Sequence, residues 1–161
     1  MQESGVERVI DVRSIPRSRT NPQFNQDTLP ATLAPWQIGY EPIAALGGLR
    51  GKSRTAEPSL NAYWRVSSFR NYADYALTPP FAAGLAQLRE SGHRQTCAIM
   101  CAEAVWWRCH RRIISDYLLA AGEPVMHILG KSHVEAASVT AGAVVRDDAT
   151  VVYPAEGPPP E

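Results

Sequence analysis

Short apolar runs alternate with longer amphipathic stretches along this chain, and that alternation sets the elements it predicts. Val6 to Arg13, VERVIDVR, alternates and then runs apolar into Asp-Val-Arg, as a buried parallel strand does where it delivers polar residues at its carboxyl end. Asp11 and Arg13 are expected at that edge. The following SIPRSRTNPQFN, with two prolines and many small polar residues, reads as a loop carrying Ser14, Arg17 and Arg19 near the strand end, where open α/β sheets keep their ligands. Asn25 to Gln37 is predicted as a short helix, with Asn25 as cap and Leu29, Leu33 and Trp36 apolar, despite Pro30 and Pro35. Gly39 to Pro42 reads as a short strand. Leu46 to Thr55, LGGLRGKSRT, is a Gly-rich basic loop without the spacing of a phosphate-binding P-loop.

Asn61 to Ala76 interleaves Tyr63, Trp64, Phe69, Tyr72 and Tyr75 with Arg65 and Arg70. Rings packed onto a sheet are the favoured reading, and base stacking the lesser one. Thr78 to Gly92 predicts a helix with Pro79 in its first turn. Thr96 to Cys101 is an apolar strand, about Ala104 to Ala121 a helix stopped by Gly122, and Val125 to Ile128 another short strand. Strand, helix, strand implies a right-handed parallel crossover. The expected fold is therefore α/β, a single domain with a mainly parallel sheet flanked by helices in a Rossmann-like three-layer arrangement. Residues 1–135 are expected to form that domain, and 136–161 a C-terminal extension whose last part, at least 152–161, is disordered.

The formal net charge is zero, so no global field draws the protein onto nucleic acid or an acidic membrane, and anion recognition must be local. Of the sixteen basic residues all but Lys52 and Lys131 are arginine, which suits bidentate recognition of carboxylate or phosphate, although a GC-rich genome produces the same bias. Cys97 and Cys101, four apart in a strand, stand roughly 13 Å apart and cannot form a disulfide. Residues 1–10 contain no apolar signal-peptide core and no long apolar stretch follows, so a cytoplasmic protein with reduced thiols and no membrane partner is expected.

The densest chemistry lies between Cys97 and Leu119. Cys101 and Glu103 fall in the loop that opens a helix, where unpaired backbone N–H groups and the helix dipole stabilise an anion or thiolate. Projection at about 100° per residue puts Trp106, Cys109, His110, Ile113 and Tyr117 on the inner face and Arg108, Arg111, Arg112 and Ser115 on the outer. His110 thus comes close to the Cys101 loop as an acid/base partner, unless it merely bonds a backbone carbonyl or Asp11. Cys101, Glu103 and His110 are the catalytic candidates. Asp11, Arg13, Ser14, Arg19, Arg108 and Arg111 are the ligand-binding candidates. No metal is expected, because Cys-x-Glu-x5-Cys-His has no standard zinc spacing and neighbouring Cys109 and His110 on a helix would point apart. No cofactor is expected either.

Four separated stretches, DVRSIPRSRTNPQFN (Asp11 to Asn25), LGGLR (Leu46 to Arg50), FRNYADY (Phe69 to Tyr75) and MCAEAVWWRCHRRIISDYL (Met100 to Leu119), resemble in order the domain of unknown function 488 family of bacterial and archaeal proteins. The likeness covers roughly residues 6 to 128. It implies that Asp11, Arg13, Ser14, Pro16, Arg19, Cys101, Glu103, Arg108, Cys109, His110 and Arg111 gather in one pocket. It also implies a strand with a Gly-His-Ser-like turn and a helix ahead of Asp-Val-Arg. Only ten residues precede Asp11 here: either the start was assigned late or this form lacks that unit, which would leave a sheet edge or an apolar face open and favour a homodimer. A weaker likeness is to rhodanese-type and cysteine-phosphatase architecture. Arginine stands seven positions after Cys101, where a phosphatase loop needs the sixth, so phosphatase chemistry is set aside and sulfur transfer stays open.

These readings lead to an intracellular enzyme binding a small anionic or nucleotide-like ligand at the strand carboxyl ends, with Arg13, Arg19 and Arg108 as clamps. The alternatives are a nucleotide or nucleic-acid binding module built on residues 63–75 and 50–54, which zero net charge disfavours, and a metal-binding protein.

Overall fold

The apolar run after Arg8 forms β1 (Arg8–Asp11), whose Val9 and Ile10 are buried on opposite faces. In the computed structural model, which describes residues 1–155, β1 is the middle strand of a parallel sheet. β2 (Gly39–Pro42) flanks it on one side and β3 (Cys97–Met100) on the other, with Asp11 level with both Pro42 and Met100. All three strands therefore deliver their chains to the same carboxyl edge.

One face of the sheet is covered by α1 (Leu29–Leu33), whose Leu29 and Leu33 pack with Val6, Val9 and Ile38. The other is covered by α2 (Ser67–Tyr75), α3 (Pro79–Arg94) and α4 (Arg111–Ala120), which join Ile10 and Val12 in the larger core with Tyr72, Phe81, Ile113 and Tyr117. This is the expected single α/β domain with helices on both faces. The helix foreseen over 25–37 is broken up: α1 spans five residues, and a single 3-10 turn occupies Ala34–Trp36. Proline accounts for this, since Pro35 has no N–H to continue the ladder and its ring collides with the preceding turn.

Three expectations need correction. The helix expected from about Ala104 begins only at Arg111; a 3-10 turn occupies Trp106–Arg108, and Cys109 is extended at φ −125° and ψ 150°. Tertiary contact holds that turn, with the Trp106 ring stacked on His127 at 4.0 Å. The strand after α4 exists as β4 (Met126–Gly130), but it pairs antiparallel with β5 (His133–Ala136) and not with the parallel sheet. The Lys131-Ser132 turn, with Ser132 at φ 54°, closes a tight hairpin that the apolar pattern of β4 alone does not reveal. The chain from 152 onward is ordered as far as it is described. β6 (Val144–Val145) pairs with β7 (Val151–Val152), and Val151 and Tyr153 are fully buried. The Tyr153 hydroxyl donates to Asp116 Oδ2 at 2.7 Å and its backbone N–H to Leu60 O at 2.9 Å. The rest of the expected disorder, 156–161, lies outside the described residues. Among the described residues no helix is long and apolar enough to cross a membrane.

Candidate active site

At the end of β1 the Asp11 carboxylate accepts from the Arg13 backbone N–H (3.1 Å), from Arg13 Nε (2.9 Å) and Nη2 (2.6 Å), and from the Tyr40 hydroxyl (2.5 Å). Arg13 Nη2 also donates to Phe24 O at 2.7 Å, which ties down the loop after the strand. Asp11 is 1 % exposed and Arg13 8 %. The bond to Asp11 raises the Arg13 guanidinium, against the pull of burial, and burial followed by Asp11 pushes the Tyr40 phenol up to about 12. This network is closed on itself.

Val12, between those two residues, turns its carbonyl toward His110 Nε2 at 2.8 Å. A carbonyl only accepts, so Nε2 carries the hydrogen and the ring is fixed in one orientation. Tyr72 packs against the ring with centroids 4.8 Å apart. His110 Nδ1 then faces two sulfurs, Cys109 Sγ at 3.5 Å and Cys101 Sγ at 4.0 Å. These three ligand-type atoms all lie within 4.8 Å of one another. The extended backbone of Cys109 makes this convergence; on a helix the two neighbouring side chains would diverge.

Arg111, expected on the outer helix face, belongs to the cluster. Its backbone N–H and its Nε reach Cys109 Sγ at 3.5 and 3.2 Å, and its Nη2 donates to Glu103 O at 2.5 Å. The sulfur pair holds one negative charge readily. A hydrogen bond from Cys109 pulls the Cys101 thiol down; burial opposes this, and His110 and the Glu103 backbone N–H add to it. The Cys109 thiol is pushed up by the same neighbour and by burial, because its proton would have to leave beside a thiolate.

The glycines of LGGLR supply a wall that the sequence reading left without a role. A Cβ on Gly48 would stand 2.4 Å from His110 Nδ1, and one on Gly47 would stand 2.4 Å from Ser14 Oγ, so only glycine lets this loop close. Ser14 Oγ accepts the Leu49 N–H at 2.9 Å. From behind, the hydroxyls of Tyr72 and Tyr75 donate to Leu46 O (2.7 Å) and Ala45 O (2.6 Å). Arg50 bonds Gly47 O and Ala44 O, both at 3.0 Å, and lies 3.7 Å over the Tyr75 ring. The aromatics of 63–75 are thus engaged in packing, Trp64 stacking on Phe69 at 4.9 Å.

The structure brings together Cys101, Cys109, His110 and Arg111, with Ser14 joined to them through the glycine loop. Asp11 and Arg13 pair with each other behind it. Glu103 contributes its backbone, its side chain being exposed, and Arg19 and Arg108 are exposed as well. Val12, Gly47, Gly48, Tyr40 and Tyr72 were not anticipated; the paired glycines were the one signal in the sequence. A groove of about 620 Å3 runs between β3, α4 and the hairpin, lined by Cys97, Ile99, Arg111, Leu118 and His127 among others. Arg111 is its link to the sulfur cluster, which lies beside it.

A family model described as domain of unknown function DUF488 matches residues 1–118, a span that contains all of these site residues. No curated protein and no solved structure matches the chain.

Proposed function

Because the chain belongs to the DUF488 family, a membership that specifies no reaction, we propose from the site geometry that it is an α/β enzyme acting on a small anionic ligand at the carboxyl ends of its strands. The observation that carries the reading is the convergence of two thiols and an oriented imidazole within 4.8 Å, with Cys101 partly exposed and Cys109 buried behind it. Cys101 Sγ is the reacting atom. His110, held by the Val12 carbonyl, is its proton partner, and Cys109 with Arg111 holds the negative charge in place. Arg111, with exposed Arg108 and Arg19, supplies the positive field toward an anion, and the Glu103 carboxylate is a second base within the same loop. Three free thiols suit a reducing, cytoplasmic setting.

Competitive alkylation tests this. Cys101 is expected to react faster than Cys97, and negatively charged iodoacetate to be favoured over neutral iodoacetamide relative to a free cysteine standard. Arg111→Ala and Arg108→Ala should erase that preference. Equal labelling of Cys101 and Cys97 with no preference for the anionic reagent would sink the reading.

A further inference from the structure

We infer that Cys101, Cys109 and His110 are three ligands of a site for a thiophilic divalent cation of the zinc class. The inference rests on the reading of this cluster as the working site: in the metal-free chain Cys101 is the attacking atom, and in the cation-bound chain it is a ligand.

Two thiolates and an imidazole are the donor set that soft and borderline cations select, and that magnesium and calcium reject. The distances fit. A tetrahedral cation with sulfur ligands at about 2.3 Å and nitrogen at about 2.0–2.1 Å needs S···N separations of about 3.6 Å and an S···S separation of about 3.8 Å. The cluster has S···N separations of 3.5 and 4.0 Å, with every pair inside 4.8 Å. Side-chain adjustments of under about one ångström close the difference.

The surroundings are those of a built ligand set. The distal His110 Nε2–H is held by the Val12 carbonyl at 2.8 Å, the outer-sphere contact that fixes a ligating histidine with its free nitrogen inward. Arg111 aims its backbone N–H and its Nε at Cys109 Sγ, offsetting the charge that a second thiolate brings. Gly48 lies so close to the ring that a Cβ would stand 2.4 Å from Nδ1 and 2.7 Å from Cε1, so no side chain at this position can reach Nδ1 in place of the cation. On binding, each thiol that is still protonated releases its proton to solvent, while His110 ligates as the neutral ring. Three protein ligands leave a fourth position, and the partial exposure of Cys101 turns it toward solvent, the pattern of catalytic rather than structural zinc. An oxygen of the anionic ligand can take that position.

The probe is Co2+, titrated into the metal-free full-length chain and followed by absorption. One equivalent is expected, with tetrahedral d–d bands and thiolate-to-metal charge transfer. Cys101→Ser, Cys109→Ser and His110→Ala should each weaken binding more than about 100-fold, beyond the 10–100-fold that loss of an outer-sphere partner costs, while Cys97→Ser changes nothing. Co2+ should also protect Cys101 and Cys109 of the unaltered chain, but not Cys97, from iodoacetamide, a readout that stands if a variant fails to fold. No uptake, an octahedral spectrum, or uptake that survives both cysteine substitutions overturns the site. The alkylation preference of the metal-free protein is measured separately, so a failed cation site and a failed enzyme reading give different results.

Discussion

β1 and β3 are hydrogen-bonded neighbours that end level with one another, Asp11 beside Met100, yet their ends are built in opposite ways. β1 ends in two full charges that satisfy each other: Asp11 accepts from three atoms of Arg13 and from Tyr40, and Arg13 has a further partner in Phe24 O. β3 leads into a thiol, Cys101, whose neighbours are an imidazole nitrogen at 4.0 Å and a second thiol within 4.8 Å, that nitrogen lying 3.5 Å from the second thiol; these separations are longer than most hydrogen bonds and close to what a shared ion would need. The charged residues, the more conspicuous in the sequence, form the scaffold. The less conspicuous sulfurs are left with unused bonding capacity, and it is there that the proposed chemistry is placed. Val12 joins the two ends, since its carbonyl fixes the imidazole of the second from within the first.

The contrast breaks most visibly at Asp11. Replacing it with alanine leaves the Arg13 guanidinium buried without a counter-charge, and removing one partner of a buried pair costs about 3–5 kcal/mol. Urea unfolding of Asp11→Ala should show a loss of that size. A loss under about 1 kcal/mol would mean that Arg13 turns outward, and that the two strand ends are alike after all.

Gly48→Ala attacks the link between them. Its Cβ would sit 2.4 Å from His110 Nδ1, and the neighbouring carbonyls of Ala45 and Leu46 are held by Tyr75 and Tyr72, so the loop has little room to yield. Overpacking of this kind costs about 1–3 kcal/mol. The sharper readout is function: alkylation of Cys101 and Co2+ uptake should both fall in Gly48→Ala. Unchanged labelling and uptake would separate the glycine loop from the site.

How much of this was legible in advance follows the same divide. Periodicity located the parallel strands and α3 to within a few residues because their apolar positions answer to one local rule, burial against a sheet. Cys101, Glu103, His110 and Arg111 were legible as chemistry from residue type alone. Their arrangement was not, because it depends on Cys109 leaving helical geometry, and the Trp106–His127 stack that holds this turn spans a sequence distance that no local pattern encodes. The tail was misread for a similar reason. Val151, Val152 and Tyr153 look isolated among small and polar residues, and only the distant Asp116 and Leu60 show why they are buried. Two adjacent glycines in LGGLR gave notice of a close approach, but not of what approached.

The third strand offers a smaller test, by pH. Glu41 of β2 loses solvation by burial, which raises its pKa, but hydrogen bonds from Gln87, Ser91 and Arg8 outweigh this and hold the carboxyl below its ordinary value. A carboxylate with a lowered pKa in the folded state stabilises the fold at pH values above its unfolded pKa, and that contribution is lost as pH falls through the folded pKa. Glu41→Gln should therefore narrow the stability difference between neutral pH and acid, measured as urea midpoints. An unchanged difference would show that Glu41 gains nothing from its three partners.

The smallest effect on stability is expected where the effect on chemistry is largest. Cys101→Ala removes a partly exposed sulfur, so little apolar area returns to water, and Arg111 keeps its bonds to Cys109 Sγ and Glu103 O. A loss under about 1 kcal/mol follows, within the range of ordinary substitutions away from the core. In the same variant the thiolate that keeps Cys109 from ionising is gone, so labelling of Cys109 should rise above its level in the unaltered chain, limited by its burial. A loss of several kcal/mol on Cys101→Ala would show that this sulfur holds the fold as Asp11 does. The end of β3 would then be a second scaffold, and the case for chemistry there would be gone.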